Sequence, residues 1–182
     1  MTHAAVRKYA NDEKLAFLVN DVVGETVNTI KEKEGIDKPF DPVHYIYLTI
    51  YNILASSAFG KRYSMNDPEF LRLRYASEES NKNLNGLVLA SDFAPVLKPF
   101  VKNKVKLIRD LTLEQLNIIK QKYVSHQKDY QFGQIRDFTD ALISAKFDAL
   151  QNEKESKPYL TDDNLALALF DLFLGKTIHF FI

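Results

Sequence analysis

Several residue groups have types and spacings that invite chemistry. Gly175-Lys176-Thr177 has the ending of a phosphate-binding P-loop. That loop needs a glycine five positions earlier and a preceding strand. Position 170 is phenylalanine, and the run before it patterns as a helix, so nucleotide binding is rejected. The four histidines (His3, His44, His126, His179) are far apart, and none has a partner at metal-ligand spacing. They read as surface or boundary residues. Asp137 with Asp140, and Glu78 with Glu79, are carboxylate pairs of the kind used in acid–base work. Arg136 stands four residues before Asp140, so a helix-surface ion pair worth a few tenths of a kcal/mol is the simpler reading. The chain has no cysteine, which removes disulfides, thiolate metal sites and cysteine nucleophiles. Lys98, Lys102, Lys104, Lys106 and Arg109 form a basic run that reads as a solvated face. The alternative is contact with an acidic partner or a membrane surface beside Phe93 and Phe100. These residues define no catalytic centre.

The elements that carry these residues read as helices. Asn11 can cap a helix in which Leu15, Leu18, Val19, Val22, Val23, Val27 and Ile30 recur at helical spacing, closed by Lys31, Lys33 and Gly35. Residues 1–10 read as the tail of an earlier helix. Asp41-Pro42 starts a mostly apolar helix over 43–59, ended by Gly60. Asp67-Pro68 starts another, expected to run to about Ala90. Pro95 and Pro99 disfavour helix, so 91–99 is expected to be a loop or short turn. A long amphipathic helix over 101–128 should place Val105, Ile108, Leu116, Ile119 and Val124 on one side. Gly133 punctuates, 135–150 forms a further helix, and 151–158 is a charged linker. Thr161 then caps a helix with Asp162 and Asp163 in its first turn. Residues 165–174 carry a single charge, Asp171, and a helix without a polar face belongs inside a larger protein. Asp171 is therefore expected to be an isolated acid on a buried helix. No alternating strand pattern and no internal repeat occurs. The fold class is all-α, with about six helices.

Composition agrees with one ordinary domain. The 182 residues are 46% hydrophobic and 26% charged. Bases and acids balance at 24 each, which gives no signal for nucleic acid or for an anionic membrane surface. Residues 1–10 contain no long apolar run of the signal-peptide kind. Polar interruptions at His44, Thr49, Asn52, Ser56 and Ser57 make the 43–59 helix a buried element rather than a membrane span.

Ordered segments over nearly the whole chain resemble the cytochrome P450 family of haem-thiolate monooxygenases. They are Pro39-Phe40-Asp41-Pro42, Phe59-Gly60-Lys61-Arg62-Tyr63, Asp67-Pro68-Glu69-Phe70, Asp92-Phe93-Ala94-Pro95-Val96-Leu97, Arg136-Asp137-Phe138-Thr139-Asp140-Ala141-Leu142, and Leu160-Thr161-Asp162-Asp163 ending in Asp171-Leu172-Phe173. The nearest likeness is to the microsomal animal group with steroid 17-hydroxylase-like and aryl-hydrocarbon-oxidising members. The resemblance implies an internal portion of that fold, from the end of helix C through D, E, F, G and H to the start of I. It also implies haem, insertion of one atom of dioxygen into a lipophilic steroid-like or xenobiotic substrate, and electrons from NADPH through a reductase. The parent protein is then expected on the cytoplasmic face of the endoplasmic reticulum membrane.

On the same resemblance, Asn81, Asn85, Leu89, Asp171, Leu174 and Gly175 would line the substrate pocket, and 91–99 would lie near the substrate entrance and the membrane. Leu89 and Leu174 could equally serve helix packing, and Asn81 and Asn85 a solvated face. No catalytic residue is assigned. The family's acid and threonine do not follow Gly175, the cysteine loop is missing, and the chain by itself is expected to be inactive. The codons of Gly175-Lys176 can contain a splice-donor sequence, so 175–182 reads as a non-native tail. The reading from a different class is a non-catalytic helical interaction module without cofactor.

Overall fold

The computed structural model describes residues 13–35, 38–152 and 155–179, with side chains described over 15–35, 38–152 and 155–173. The expected helix tail at 1–10, the Asn11 cap and His3 lie outside the described residues. All-α architecture holds. The helices are α1 (Glu13–Glu34), α2 (Val43–Phe59), α3 (Pro68–Asn83), α4 (Gly86–Phe93), α5 (Lys98–Asp129), α6 (Phe138–Gln151) and α7 (Asp162–His179). Short 3-10 turns occupy Pro95–Leu97 and Lys157–Tyr159. Among the described residues there is no strand.

Helix starts and stops follow local chemistry. The Asp67 carboxylate accepts the Glu69 and Phe70 amides ahead of α3, with Pro68 in the first turn. Asp137 does the same for the Asp140 amide ahead of α6. The Thr161 hydroxyl accepts the Asn164 amide at 3.2 Å ahead of α7. Gly60 closes α2 at φ 60°, a left-handed conformation that favours glycine.

Two helices organise the packing. α2 meets α1, α3, α6 and α7, while α5 meets α3, α4, α6 and α7. Between them lies a core built from Tyr51, Leu54 and Phe59 of α2, Phe70 and Leu73 of α3, Ile119 and Tyr123 of α5, Ile143 of α6, and Leu169 and Phe173 of α7. Apolar side chains reach around most of α2, as its sequence implied. No described helix is long and apolar enough to cross a membrane.

Four expectations are corrected. The helix after Asp67-Pro68 stops at Asn83, because Leu84 turns to ψ 90° and the Asn85 side chain accepts the Val88 amide to start α4. The Asn85-Gly86 pair carried that break signal. Residues 91–93 complete α4, and Pro99 falls in the first turn of α5, where its missing N–H is harmless. The buried stripe of α5 is Val101, Leu111, Gln115, Ile118, Ile119 and Tyr123, whereas Val105 and Val124 are exposed. Lastly, α7 continues past Leu174 to His179, and its described part is not buried all round. Leu165, Ala166, Leu169, Phe170 and Phe173 are buried, while Leu167 and Asp171, four residues apart, are both exposed. Solvent hydrates Asp171, so it needs no buried partner.

Candidate functional site

The segment Arg136–Leu142 locks three helices together, and each of its polar side chains has a task. Asp140 is fully buried, and Arg136 reaches both its oxygens, through Nε at 2.6 Å and Nη2 at 2.9 Å, while the Arg136 amide adds a bond at 3.1 Å. This is a bidentate pair with its carboxylate end buried and Arg136 partly exposed, rather than the helix-surface pair the sequence suggested. Burial works to raise the Asp140 pKa, but the bonds from Arg136 outweigh it and hold the carboxyl below its ordinary value. Asp137 caps α6 through Oδ1 and meets His126 Nε2 of α5 through Oδ2 at 2.6 Å. The Thr139 hydroxyl donates to the Ala58 carbonyl of α2 at 2.6 Å. Phe138 and Leu142 enter the core.

His126, Asp137 and Asp140 bring ligand-type atoms within 4.8 Å of one another. A cation there would compete with the Arg136 guanidinium for both Asp140 oxygens. The cluster is therefore an ion-paired latch, and His126 is a joining residue rather than a free ligand.

A second junction centres on Glu69 of α3. Its carboxylate accepts from Lys122 of α5 at 2.6 Å, from the Tyr63 hydroxyl at 2.5 Å and from Lys61 at 3.3 Å. Burial pushes its pKa up, yet the bonds from Lys122 and Tyr63 prevail and hold it below the usual carboxylate range. Burial lowers the pKa of the Lys122 ammonium, opposed by Glu69. Asn52 of α2 pins the same loop, donating to the Tyr63 carbonyl at 3.0 Å and accepting the Tyr63 amide at 2.6 Å.

A third junction supports α7. The Tyr51 hydroxyl lies 2.6 Å from Ser77 Oγ, and Gln115 Nε2 donates to Ser77 Oγ at 2.8 Å and to the Leu73 carbonyl at 3.1 Å. Burial drives the Tyr51 pKa upward, so the phenol stays neutral. Phe173 of α7 stacks on Phe59 at 5.8 Å between centroids and tilts against Tyr51 at 6.3 Å. Sequence reasoning used Asn52 only as a polar interruption of its helix and passed over Ser77, Gln115 and Lys122. Single polar residues on apolar helix faces were the available signal.

The six pocket residues expected from the resemblance fall on different elements. Asn81 is half-buried near the end of α3 and Asn85 caps α4, spending its side-chain oxygen on the Val88 amide at 3.2 Å. Leu89 is 53% exposed on α4. Asp171 is exposed on α7. Leu174 and Gly175 continue the α7 backbone, and the side chains of Leu174 and His179 lie outside the described ones.

The segments that form these junctions all lie within the range that a known family covers. The cytochrome P450 family model matches residues 1–177, and the chain belongs to that family. It is 30% identical over 134 residues to cytochrome P450 1A1 of Rattus norvegicus, covering 74% of this chain and 25% of the relative. It is 31% identical over 142 residues to cytochrome P450 2H1 of Gallus gallus, covering 78% of this chain and 28% of the relative. Against cytochrome P450 1A1 of Sparus aurata it is 32% identical over 152 residues, covering 81% and 27%. The chain thus spans about a quarter of the length of these relatives.

The family implies haem, and the donor set here does not complete a haem-thiolate site. None of the 182 residues is cysteine. Of the two histidines with described side chains, His44 is engaged by Arg74 and His126 by Asp137. No thiolate ligand can come from this chain.

Proposed function

We propose that the chain is part of a haem-dependent monooxygenase that inserts one oxygen atom of dioxygen into a lipophilic, steroid-like or xenobiotic substrate. The observation that carries this reading is the family match across residues 1–177. NADPH supplies electrons through a reductase, and the parent protein sits at the cytoplasmic face of the endoplasmic reticulum membrane. The chain's own contribution is a scaffold. The latch at Asp140 and the hub at Glu69 hold α2, α3, α5 and α6 together, and Tyr51 and Phe59 of α2 receive Phe173 of α7. Asn81, Asn85, Leu89, Asp171, Leu174 and Gly175 line the substrate side of that scaffold, a role that the exposure of Leu89 and Asp171 permits.

By itself the 182-residue chain is inactive, because it brings no cysteine to the iron. The test is to sequence the transcript through the Gly175 codon. The expected message continues into a threonine-bearing helix and a downstream cysteine loop. A message that terminates after Ile182 overturns the reading and leaves a helical module without thiolate-ligated haem.

A further inference from the structure

We infer that Asn85 is a self-modification site, at which the Gly86 amide nitrogen displaces ammonia from the Asn85 side chain and leaves a carboxylate at the joint between α3 and α4. Of the chain's asparagines, only Asn85 is followed by glycine. Glycine puts no Cβ in the way of the five-membered ring that this attack closes. Leu84 and Asn85 are all that separates α3 from α4, and Gly86 is the first residue of α4. Gly86 is exposed, and a Cβ built on it meets nothing within 4 Å, so the ring has room.

Hydrogen bonding at the joint favours the attack. The first amides of a helix have no carbonyl to bond inside it, so the Gly86 nitrogen can give up its proton without breaking a helical bond. The Val88 amide donates to Asn85 Oδ1 at 3.2 Å and withdraws charge from the carbonyl under attack. Ring closure needs the Asn85 backbone to turn away from ψ 173°, which shifts Gly86 out of the first turn of α4. That turn is weakly held, since α4 has 8 residues and buries only Val88 and Ser91.

The step needs no oxidant and no cofactor. The bond from Gly86 N to Asn85 Cγ forms as the Cγ–Nδ2 bond breaks, and the Gly86 proton leaves with the ammonia. Water then opens the ring at either carbonyl. One opening gives aspartate, and the other gives isoaspartate, in which the main chain runs through Cβ and Cγ. Aspartate caps a helix as well as asparagine does and adds a charge that the helix dipole favours. Isoaspartate lengthens the main chain at the joint and removes the cap, which loosens α4 from α5.

The proposal rests on no part of the monooxygenase reading, and its test involves no haem and no turnover. The 182-residue chain is held in warm neutral buffer. Peptide mass spectrometry follows replacement of each asparagine side-chain NH2 by OH. Isoaspartate is read separately, as methyl uptake from S-adenosylmethionine with isoaspartyl methyltransferase. Asn85 is expected to convert at least roughly tenfold faster than Asn83, which is followed by Leu84, and to convert faster in mildly alkaline buffer. Gly86→Ala should slow conversion by roughly tenfold or more with helical circular dichroism unchanged, because the added Cβ meets no neighbour. Asn85→Ser keeps a capping hydroxyl and should abolish both signals at this position. Cleavage by added protease within 86–93 should speed up as isoaspartate accumulates, and unchanged cleavage overturns the loosening of α4. An Asn85 that keeps its amide in the folded chain but loses it in urea shows that the fold blocks the attack and overturns the proposal. Equal rates at Asn83 and Asn85, or in the parent chain and Gly86→Ala, overturn it as well.

Discussion

The Thr139 hydroxyl donates a 2.6 Å hydrogen bond to the Ala58 carbonyl, joining positions 81 residues apart. Ala58 lies in the last turn of α2, where carbonyls have no partner within the helix. Gly60 and Lys61 turn their amides back onto the Ser56 and Ala55 carbonyls, and Thr139 supplies the donor for Ala58 from another helix. One side chain thus finishes α2 and fixes the start of α6.

Replacing that hydroxyl by a methyl group is therefore expected to cost more than the bond itself. Thr139→Val keeps the shape but leaves a buried carbonyl without a donor, a loss of about 1–3 kcal/mol. Thr139→Ser keeps the donor and should lose about 1 kcal/mol or less, the value of one buried methyl group. Urea unfolding followed by helical circular dichroism measures both. Equal losses in the two variants would show that the methyl group, not the bond, matters.

Gly60 separates backbone strain from steric clash. A Cβ added there would meet Asp137 Oδ2 at 3.9 Å, an ordinary contact, while the φ of 60° disfavours any side chain. Gly60→Ala should therefore cost about 1–2 kcal/mol, the left-handed backbone penalty alone. Gly60→Asn, which tolerates this conformation better, should cost less. A larger loss for Asn in the same unfolding assay would place the constraint in space rather than in φ.

Acid should undo the latch and the hub together. Burial tends to raise the pKa of Glu69, Asp140 and Asp162, but hydrogen bonds prevail at each: from Lys122 and Tyr63, from Arg136, and from Lys146 and Tyr123. A carboxylate whose folded pKa is depressed contributes its full stability above its unfolded pKa, about 4 for these groups. That contribution fades as pH falls through the lower folded value. The contribution of these three carboxylates should be level between about pH 7 and 5 and decline below about pH 4. Glu69→Gln should flatten this acid-side decline. An unchanged slope in that variant would remove Glu69 from the pH response.

Asp140→Asn tests the latch directly. Arg136 is partly exposed and can be hydrated, so the expected loss at neutral pH is about 2 kcal/mol, below that of a fully buried pair. Arg136→Met should cost more, because it strands the fully buried Asp140 carboxylate. The reverse order in urea unfolding would show that Asp140 finds other partners.

Much of the fold was legible in short stretches of sequence because helix termini are local chemistry. Asp67-Pro68, Thr161 and Gly60 act on amides and carbonyls within a turn of themselves. The family, too, could be read from ordered segments such as Phe59–Tyr63 and Arg136–Leu142. What those segments do was not legible, since their partners are remote in sequence. Nothing near Thr139 indicates Ala58, and nothing near Glu69 indicates Lys122. The same limit explains the errors on α5 and α7. Periodicity identifies an apolar stripe, but packing against α3, α6 and α7 selected the Gln115 and Tyr123 side of α5. Likewise, Asp171 read as a buried charge because its neighbours are apolar, yet tertiary packing buries Phe170 and Phe173 and turns Asp171 with Leu167 toward solvent. The sequence by itself determined the all-α class, several helix starts and stops, and the family. Only the tertiary structure decided which polar groups meet, because a hydrogen bond between distant positions depends on how whole helices pack.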